Sequence, residues 1–335
     1  MKLAIGFITY NESSSPYLPD FLKSLKEALD FVGLDDYLVY GFENSDLDFK
    51  DNSNLTKDFL SLNPNFNYQQ LGSNGENLGF ARPYNLMIET ALLSGFDYFL
   101  VINPDIVFSQ ESIRLLIKPL LLDSNLSVTA PRIMSFNPEK SEGRDLIDSF
   151  GIGLKRGLKF FDIAQGEEYR EEKRGQYLAQ TKDILAPSGA AGLYRLKALE
   201  KVAEVRVGKK EYFDERFFMY KEDCDLAYRL HSLGLKTLFV VDSVIYHDRT
   251  TKSLGSGLLS FFKSRAKKSP LARSWSFRNQ HFIFIKHFST QDFLSKTVII
   301  VKIFAMLVFA LIFEQFLLKE YKKIYLFWKN KLAID

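Results

Sequence analysis

Along the first half of the chain, short apolar runs without helical period alternate with stretches whose apolar residues recur at three and four positions. Residues 3–9 form such a run, bounded by polar Asn11 to Ser15, and predict a buried strand. Leu18, Phe21, Leu22, Leu25 and Leu29 follow at helical spacing, predicting an amphipathic helix that ends near Gly33. A second strand is predicted at 37–42, then a polar, Asn-rich connection over 45–67 and a weaker strand at 68–71. A glycine-bearing turn at 72–79 leads into a helix over 80–93. The apolar strand 98–102 is stopped by Asn103-Pro104-Asp105, and a helix returns over 111–122. Strand and helix alternating in this way predict an α/β sheet with right-handed crossovers.

From 137 to 182 the pattern dissolves into glycines and charges, which predicts loops and short strands of the kind that cover a site. Order returns at Ile184. Pro187-Ser188-Gly189-Ala190-Ala191-Gly192 sets small residues ahead of Leu193-Tyr194-Arg195, predicting close backbone packing beside a cavity. The stretch 212–233 then crowds Asp214, Glu215, Glu222, Asp223 and Asp225 among aromatic residues. Burying a carboxylate without a partner costs several kcal/mol or forces protonation, so these acids need compensation or a function. From Glu222 a helix is predicted, since Leu226 and Leu230 fall four apart and Asp225 sits four before Arg229, the spacing of a surface ion pair. Glu222 and Asp223 lie in its first turn, where the helix dipole favours an anion. A strand at 237–241 leads to Tyr246-His247-Asp248, and the remainder reads as helical.

At 335 residues, 46% of them hydrophobic, the chain is long enough for one large or two modest domains with a core. A formal charge of +3 from 44 basic and 41 acidic residues gives no general case for nucleic acid as a partner. The bases gather late: Lys263, Arg265, Lys267, Lys268, Arg273 and Arg278, then Lys319, Lys322, Lys323, Lys329 and Lys331. The one cysteine, Cys224, excludes a disulfide framework and a cysteine-based zinc site, which suits a reducing compartment. The N-terminus resembles a first strand more than a signal peptide, so the cytoplasm is expected. Near the C-terminus, Lys302 and Glu314 interrupt an apolar helix at 297–318 and leave about eleven uninterrupted apolar residues. A span needs about twenty. With Tyr321, Tyr325, Phe327, Trp328 and lysines beside it, this helix is expected to lie on an anionic membrane face, a span and a core or oligomer helix staying open.

In an open parallel sheet, ligands bind at the carboxyl ends of strands, and Thr9-Tyr10-Asn11, Glu43-Asn44-Ser45 and Asn103-Pro104-Asp105 all fall at such ends. The first two have the groups to hydrogen-bond a base and ribose. The segment from Asn77 to Asn85 can bring backbone amides and a helix start to a phosphate, or be a plain turn. Asp105 suits a hard divalent cation bridging diphosphate oxygens, or a turn at a helix start. His247 is a further metal ligand or a structural histidine. Arg278 and Asn279, in a basic aromatic helix, fit phosphate or acceptor binding, or snorkelling at a membrane surface.

Together the segments ITYNE, ENS, ENLGFARPYN, FLVINPD, SGAAGLYR, FDERFFMYKEDCDLAYRLHSLG, HDRTTKS and SFRNQHFIFIKH resemble, in order, those of inverting family-2 glycosyltransferases, in particular the rhamnosyltransferase-like group. The resemblance covers residues 3–287. It implies an α/β GT-A nucleotide-diphospho-sugar transferase fold, a Rossmann-like mixed sheet flanked by helices, over residues 1–255. Residues 256–335 would be a basic, aromatic, membrane-associating helical appendage. By position, it implies that Thr9, Asn11 and Glu43 hold the nucleoside, and that Asn77, Gly79, Phe80, Asn85 and Asn103 line the donor pocket. Asp105 and His247 would hold Mg²⁺ or Mn²⁺, Asp223 would be the catalytic base, and Glu222 and Arg278 would meet acceptor or phosphate. Asn103 stands where the family's first metal-site Asp is usual. The implied reaction moves a sugar, L-rhamnose from dTDP-rhamnose, to a polyprenyl-linked glycan in bacterial cell-surface polysaccharide synthesis, at the cytoplasmic face of the membrane. A UDP-hexose or UDP-galactofuranose donor, a non-catalytic glycan-binding subunit and a homo-oligomer stay open.

Overall fold

The computed structural model describes residues 1–137, 142–248, 265–266 and 268–332. The chain begins with β1 (Leu3–Thr9), whose Leu3, Ile5 and Phe7 pack on one side of a sheet and Ala4 on the other. Helix α1 (Leu18–Val32) starts with Pro19 in its first turn and stops where Gly33 takes a left-handed φ of 67°. There follow β2 (Tyr37–Glu43), α2 (Asp51–Leu62), β3 (Tyr68–Gly72), α3 (Ala81–Leu93), β4 (Tyr98–Ile102), β5 (Ile106–Phe108), α4 (Ser112–Leu122) and β6 (Leu126–Asn137). Three more strands, β7 (Glu142–Ser149), β8 (Ile152–Lys155) and β9 (Lys159–Asp162), precede helix α5 (Arg174–Gln180). The chain continues through β10 (Ala191–Arg195), α6 (Leu196–Val202), the hairpin β11 (Glu204–Arg206) and β12 (Lys209–Glu211), α7 (Glu222–Ser232) and β13 (Lys236–His247).

Nine strands form one mixed sheet in the order β3-β2-β1-β4-β10-β6-β13-β5, with β7 on β6. The first four are mutually parallel, as the strand and helix alternation predicts. β10 runs antiparallel to both β4 and β6, and β13 is parallel to β6. The carboxyl end of β13 therefore reaches the same sheet edge as that of β4, although most of the chain between them lies elsewhere. One face packs on α1 and α4 through Phe21, Leu25, Ile113 and Leu116; the other packs on α3 and α7 through Tyr84, Ile88, Leu226 and Leu230.

Several elements differ from expectation for identifiable reasons. Helix α2 replaces a polar connection; Leu55, Phe59 and Leu60 pack against the core, but its fully buried residues are Asn52 and Thr56, so the apolar stripe is short and interrupted by polar positions. Strand β6 was hidden by Pro131 and Arg132 in its middle. β13 runs past 241 to His247, resuming after a register shift between Val240 and Val244.

The expected boundary at 255 and the stretch 249–253 of the HDRTTKS segment lie outside the described residues, as do Lys263 and Lys267. Beyond them come α8 (Pro270–His287), α9 (Phe293–Ile312) and α10 (Glu320–Leu332). These helices share an apolar core with Phe217 and Tyr228 of the preceding part, through Phe277, Phe282, Ile283, Phe284, Ile299 and Phe327. Phe282 and Phe327 stack at 3.9 Å. The long helix expected over 297–318 is broken after α9, where buried Glu314 receives Arg265 (2.6 Å) and Arg273 (2.7 Å). Lys302 does not interrupt the outer face of α9, because its ammonium turns inward to the carbonyl of Gly157 at 2.7 Å. By length and composition, α9 can cross a bilayer.

Candidate active site

Asp105 and His247 meet at the carboxyl edge of the sheet. His247 Nε2 lies 3.1 Å from Asp105 Oδ2, and its Nδ1 lies 2.8 Å from Asp148 Oδ2 on β7. The amide of Asp248 donates to the Asp105 carbonyl at 3.2 Å, fixing the two strand ends together. Burial of His247 works against its charged form, but Asp105 and then Asp148 outweigh it and raise the imidazole pKa to about 10. The other Asp105 oxygen, Oδ1, is buried with no hydrogen-bond partner among the described residues. An open carboxylate oxygen of this kind matches a cation site: a divalent ion would take Asp105 and, by displacing the proton on Nε2, His247, with phosphate and water as its remaining ligands. The carboxylate trio of Glu204, Asp214 and Asp225, also close enough to hold an ion, is already filled by the ammonium of Lys286.

The ends of β1 and β2 form a second cluster. Asn11 and Asp46 pair reciprocally, Asn11 Nδ2 donating to Asp46 Oδ2 and the Asp46 amide to Asn11 Oδ1, each at 3.0 Å on the exposed rim. Glu43 is held by Ser45, through its hydroxyl and its amide. Buried Asn44 ties this cluster to the glycine turn, donating to Asn77 Oδ1 (3.0 Å) and the Gly79 carbonyl (3.1 Å) and accepting from the Leu78 amide (2.8 Å). Thr9 and Asn85 are buried in the interior. Thr9 donates to the Phe42 carbonyl, and Asn85 clamps the backbone of Tyr212 and Phe213 at 2.8 to 3.0 Å. Both side chains are thus engaged within the protein, Thr9 with β2 and Asn85 with the loop after β12.

The third cluster is the acidic stretch. Asp223, at the start of α7, accepts the Gly189 amide on Oδ2 (3.1 Å) and the Cys224 amide on Oδ1 (2.7 Å). Gly189 belongs to the small-residue segment whose Ala190 carbonyl accepts the Asn103 amide at 2.9 Å, so Asp223 stands beside the Asn103–Asp105 edge. Glu222 is buried, and its Oε2 has no partner among the described residues. Burial, then the neighbouring Asp223, pushes its pKa up to about 8, so it is protonated at neutral pH.

The loop ahead of these acids is strained. Phe218 (φ 64°), Tyr220 (φ 73°) and Lys221 (φ 72°) all take positive φ without being glycine, at about 1 to 3 kcal/mol each. The Phe218 carbonyl accepts the Phe80 amide at 2.7 Å, and a Cβ on Gly79 would collide with that carbonyl. The glycine at 79 is thereby explained by close approach. Arg278, expected to meet acceptor or phosphate, is buried and donates to the Phe217 carbonyl at 3.1 Å from behind the loop.

Asp225 was expected in a surface pair with Arg229. The pair exists at 2.8 Å, but it is buried and belongs to a network: Lys286 Nζ lies 2.7 Å from Asp225 and 2.8 Å from both Asp214 and Glu204, and His287 Nε2 lies 2.8 Å from Asp225. Burial opposes ionisation of Asp225, but Lys286 and Arg229 hold its carboxyl well below the usual range. Asp148 escaped the sequence reading, while Asn44 and Ser188 entered it only within their segments. Of these, Ser188 has a buried hydroxyl without a partner among the described residues, next to Gly189.

No protein-family model matches the sequence, and no curated protein does. In three dimensions the chain is similar to the crystal structure of GalNAc-T7 with UDP, GalNAc and Mn²⁺, at a TM-score of 0.52 and 10% identity. The match covers 88% of this chain and 52% of that one, so the chain spans about half its length. That likeness and the curled mixed sheet assign the GT-A fold, with the helical layer α8–α10 added at the C-terminus. A mannosyltransferase, PcManGT from Pyrobaculum calidifontis in complex with GDP-Man and Mn²⁺, superposes at a TM-score of 0.49 and 11% identity, covering 97% of this chain and 87% of that one, too distant to add to the assignment.

Proposed function

We propose that this chain is an inverting glycosyltransferase that uses a nucleotide-diphosphate sugar and Mg²⁺ or Mn²⁺. The observation that carries the reading is the meeting, at one sheet edge, of an open carboxylate oxygen on Asp105 beside His247 with Asp223 held by the Gly189 amide. Asn11 and Glu43, which the motif resemblance assigns to the nucleoside, gather at the ends of β1 and β2, and the turn carrying Asn77, Gly79 and Phe80, assigned to the donor pocket, is tied to them through Asn44. Asp105 and His247 would hold the ion, which when bound offsets negative charge developing on the departing diphosphate. Asp223 takes the proton of an acceptor hydroxyl as that oxygen attacks the anomeric carbon and the bond to the diphosphate breaks. A single displacement inverts the centre and needs no covalent intermediate.

The donor we favour is dTDP-rhamnose and the acceptor a polyprenyl-linked glycan, because the motif resemblance points to that group. The exposed apolar face of α9 fits work at the cytoplasmic face of a membrane, with residues 256–335 as the attaching region. The test is a screen of dTDP-rhamnose, UDP-hexoses and UDP-galactofuranose for metal-dependent hydrolysis and transfer. Turnover of dTDP-rhamnose, abolished by chelator, is expected; turnover of a UDP sugar instead reassigns the donor, and binding of none overturns the function.

Asp148 orients His247 from behind, as carboxylates behind metal-binding histidines do. Asp148→Asn is therefore expected to weaken Mn²⁺ binding about 10- to 100-fold, by titration of the protein without donor. Unchanged Mn²⁺ affinity would take His247 out of the metal site.

A further inference from the structure

We propose that Asn279, on α8, is a positioning residue for the reaction: its side-chain amide sets the loop that carries Glu222 and Asp223 into the site. The inference rests on the glycosyl-transfer reading and names a residue on the far side of the loop from the substrates. Asn279 is fully buried. Its Nδ2 donates to the carbonyls of Phe217 (2.9 Å), Met219 (2.8 Å) and Tyr220 (2.7 Å). Its Oδ1 accepts from Arg278 Nε at 3.0 Å, which fixes which end of the amide faces the loop. Arg278 adds a bond to the Phe217 carbonyl at 3.1 Å and lies 3.9 Å from Glu320 on α10.

These bonds fall on the strained part of the chain. Phe218, at φ 64° and ψ −60°, forms a γ-turn of the rare hand, closed by the Met219 amide on the Phe217 carbonyl at 2.7 Å. Tyr220 and Lys221 follow in the left-handed region, and Asp223 is two residues further on. A backbone in such conformations persists only where its surroundings over-determine it. Here one amide group meets the carbonyls on both sides of Phe218, while the Phe218 carbonyl is taken by the Phe80 amide and its ring packs 5.1 Å from Trp275. The loop is thus clamped between the glycine turn and α8. Releasing the α8 side lets the backbone relax towards ordinary φ, which shifts the start of α7 and with it the Asp223 carboxylate. Misplacing a reacting group by about 1 Å can cost about 10²-fold in rate.

The experiment compares Asn279→Ala and Asn279→Ser, the latter keeping one donor, with Asp292→Ala. Asp292 caps α9 through the Ser295 amide at 2.8 Å, so its loss loosens the helical layer away from the loop. In the Asn279 variants the transfer kcat should fall about a hundredfold, with donor KM and dTDP affinity changed less than twofold. Hydrogen exchange of the amides at 218–223 should accelerate in the same variants. Asp292→Ala should lower the melting temperature while keeping kcat. An Asn279 variant that retains kcat, or an Asp292→Ala that loses as much kcat as the Asn279 variants at an equal drop in melting temperature, overturns the proposal. If the unmutated chain turns over no sugar nucleotide, the glycosyl-transfer reading fails; unchanged exchange at 218–223 in Asn279→Ala separately overturns the clamp.

Discussion

Asp223→Asn is expected to lower sugar transfer by about 10² to 10⁴-fold, the range that general-base catalysis supplies. The substitution keeps the shape of the side chain but removes its ability to take the acceptor proton. It is not silent for the fold: Asp223 accepts two backbone amides, from Gly189 and Cys224, and an asparagine accepts only on its oxygen, so one N–H loses its partner. That loss costs about 1 kcal/mol, small beside the kinetic effect, and leaves nucleotide affinity unchanged. Glu222→Gln separates the neighbouring acid. With a pKa of about 8, Glu222 carries its proton at neutral pH, and glutamine imitates that form, so most of the rate should survive at pH 7. The reverse pattern, a surviving Asp223→Asn and a dead Glu222→Gln, would move the base to Glu222. Asp225 cannot serve as a mild control, because deleting it takes the carboxylate partner from buried Arg229 and His287, and one of three from Lys286, at about 3 to 5 kcal/mol.

The second large effect is expected on the outer face of α9. Ile300, Val301, Phe304, Leu311 and Ile312 are all more than half or half exposed, at 58%, 61%, 68%, 50% and 65%. With Lys302 turned inward to Gly157, no charge breaks this stripe. Tyr325 and Trp328 on α10 are also exposed beside Lys322, Lys323 and Lys329, a set suited to an anionic bilayer surface. We propose that this face enters the membrane interface. The double change Ile300→Asp with Phe304→Asp removes two apolar side chains from lipid, at roughly 1.5 kcal/mol or more each, so partition into anionic phospholipid vesicles should drop about a hundredfold or more. Both positions point away from the core, so melting temperature should hold. Failure of the unmutated chain to float with vesicles overturns the proposal, and a stable dimer in that case gives the face to a second copy. Binding that survives both substitutions and alkaline carbonate means that α9 spans.

Much of the first half of the fold was readable because the buried parallel strands and α1 obey simple periods: Leu18, Phe21, Leu25 and Leu29 on the helix, uninterrupted apolar runs at 3–9 and 98–102. Asp105 and His247 were each legible as strand-end residues. Their meeting was not, because it depends on β10 reversing between β4 and β6 so that β13 points the same way as β4. Asp148 was invisible for a different reason: it sits among glycines and charges in a stretch without period. Asn279 carries no signal as a clamp, since three carbonyls on one amide is a tertiary fact. The basic residues of the C-terminus read alike in the sequence, yet Arg265 and Arg273 pair with Glu314, Arg278 bonds Phe217 and Lys331 bonds the last carbonyls of α8.

The ammonium of Lys286 bears on how such a chain can diversify. Its three acids come from β11, the loop after β12 and α7, while the lysine itself arrives on α8. A helical layer that lacks a lysine at that spot would leave Asp214 and Asp225, both fully buried, with only Arg206, Arg216 and Arg229 as counter-charges. Chimaeras joined between the sheet and α8 should therefore fail unless the lysine and its acids are transplanted as a set.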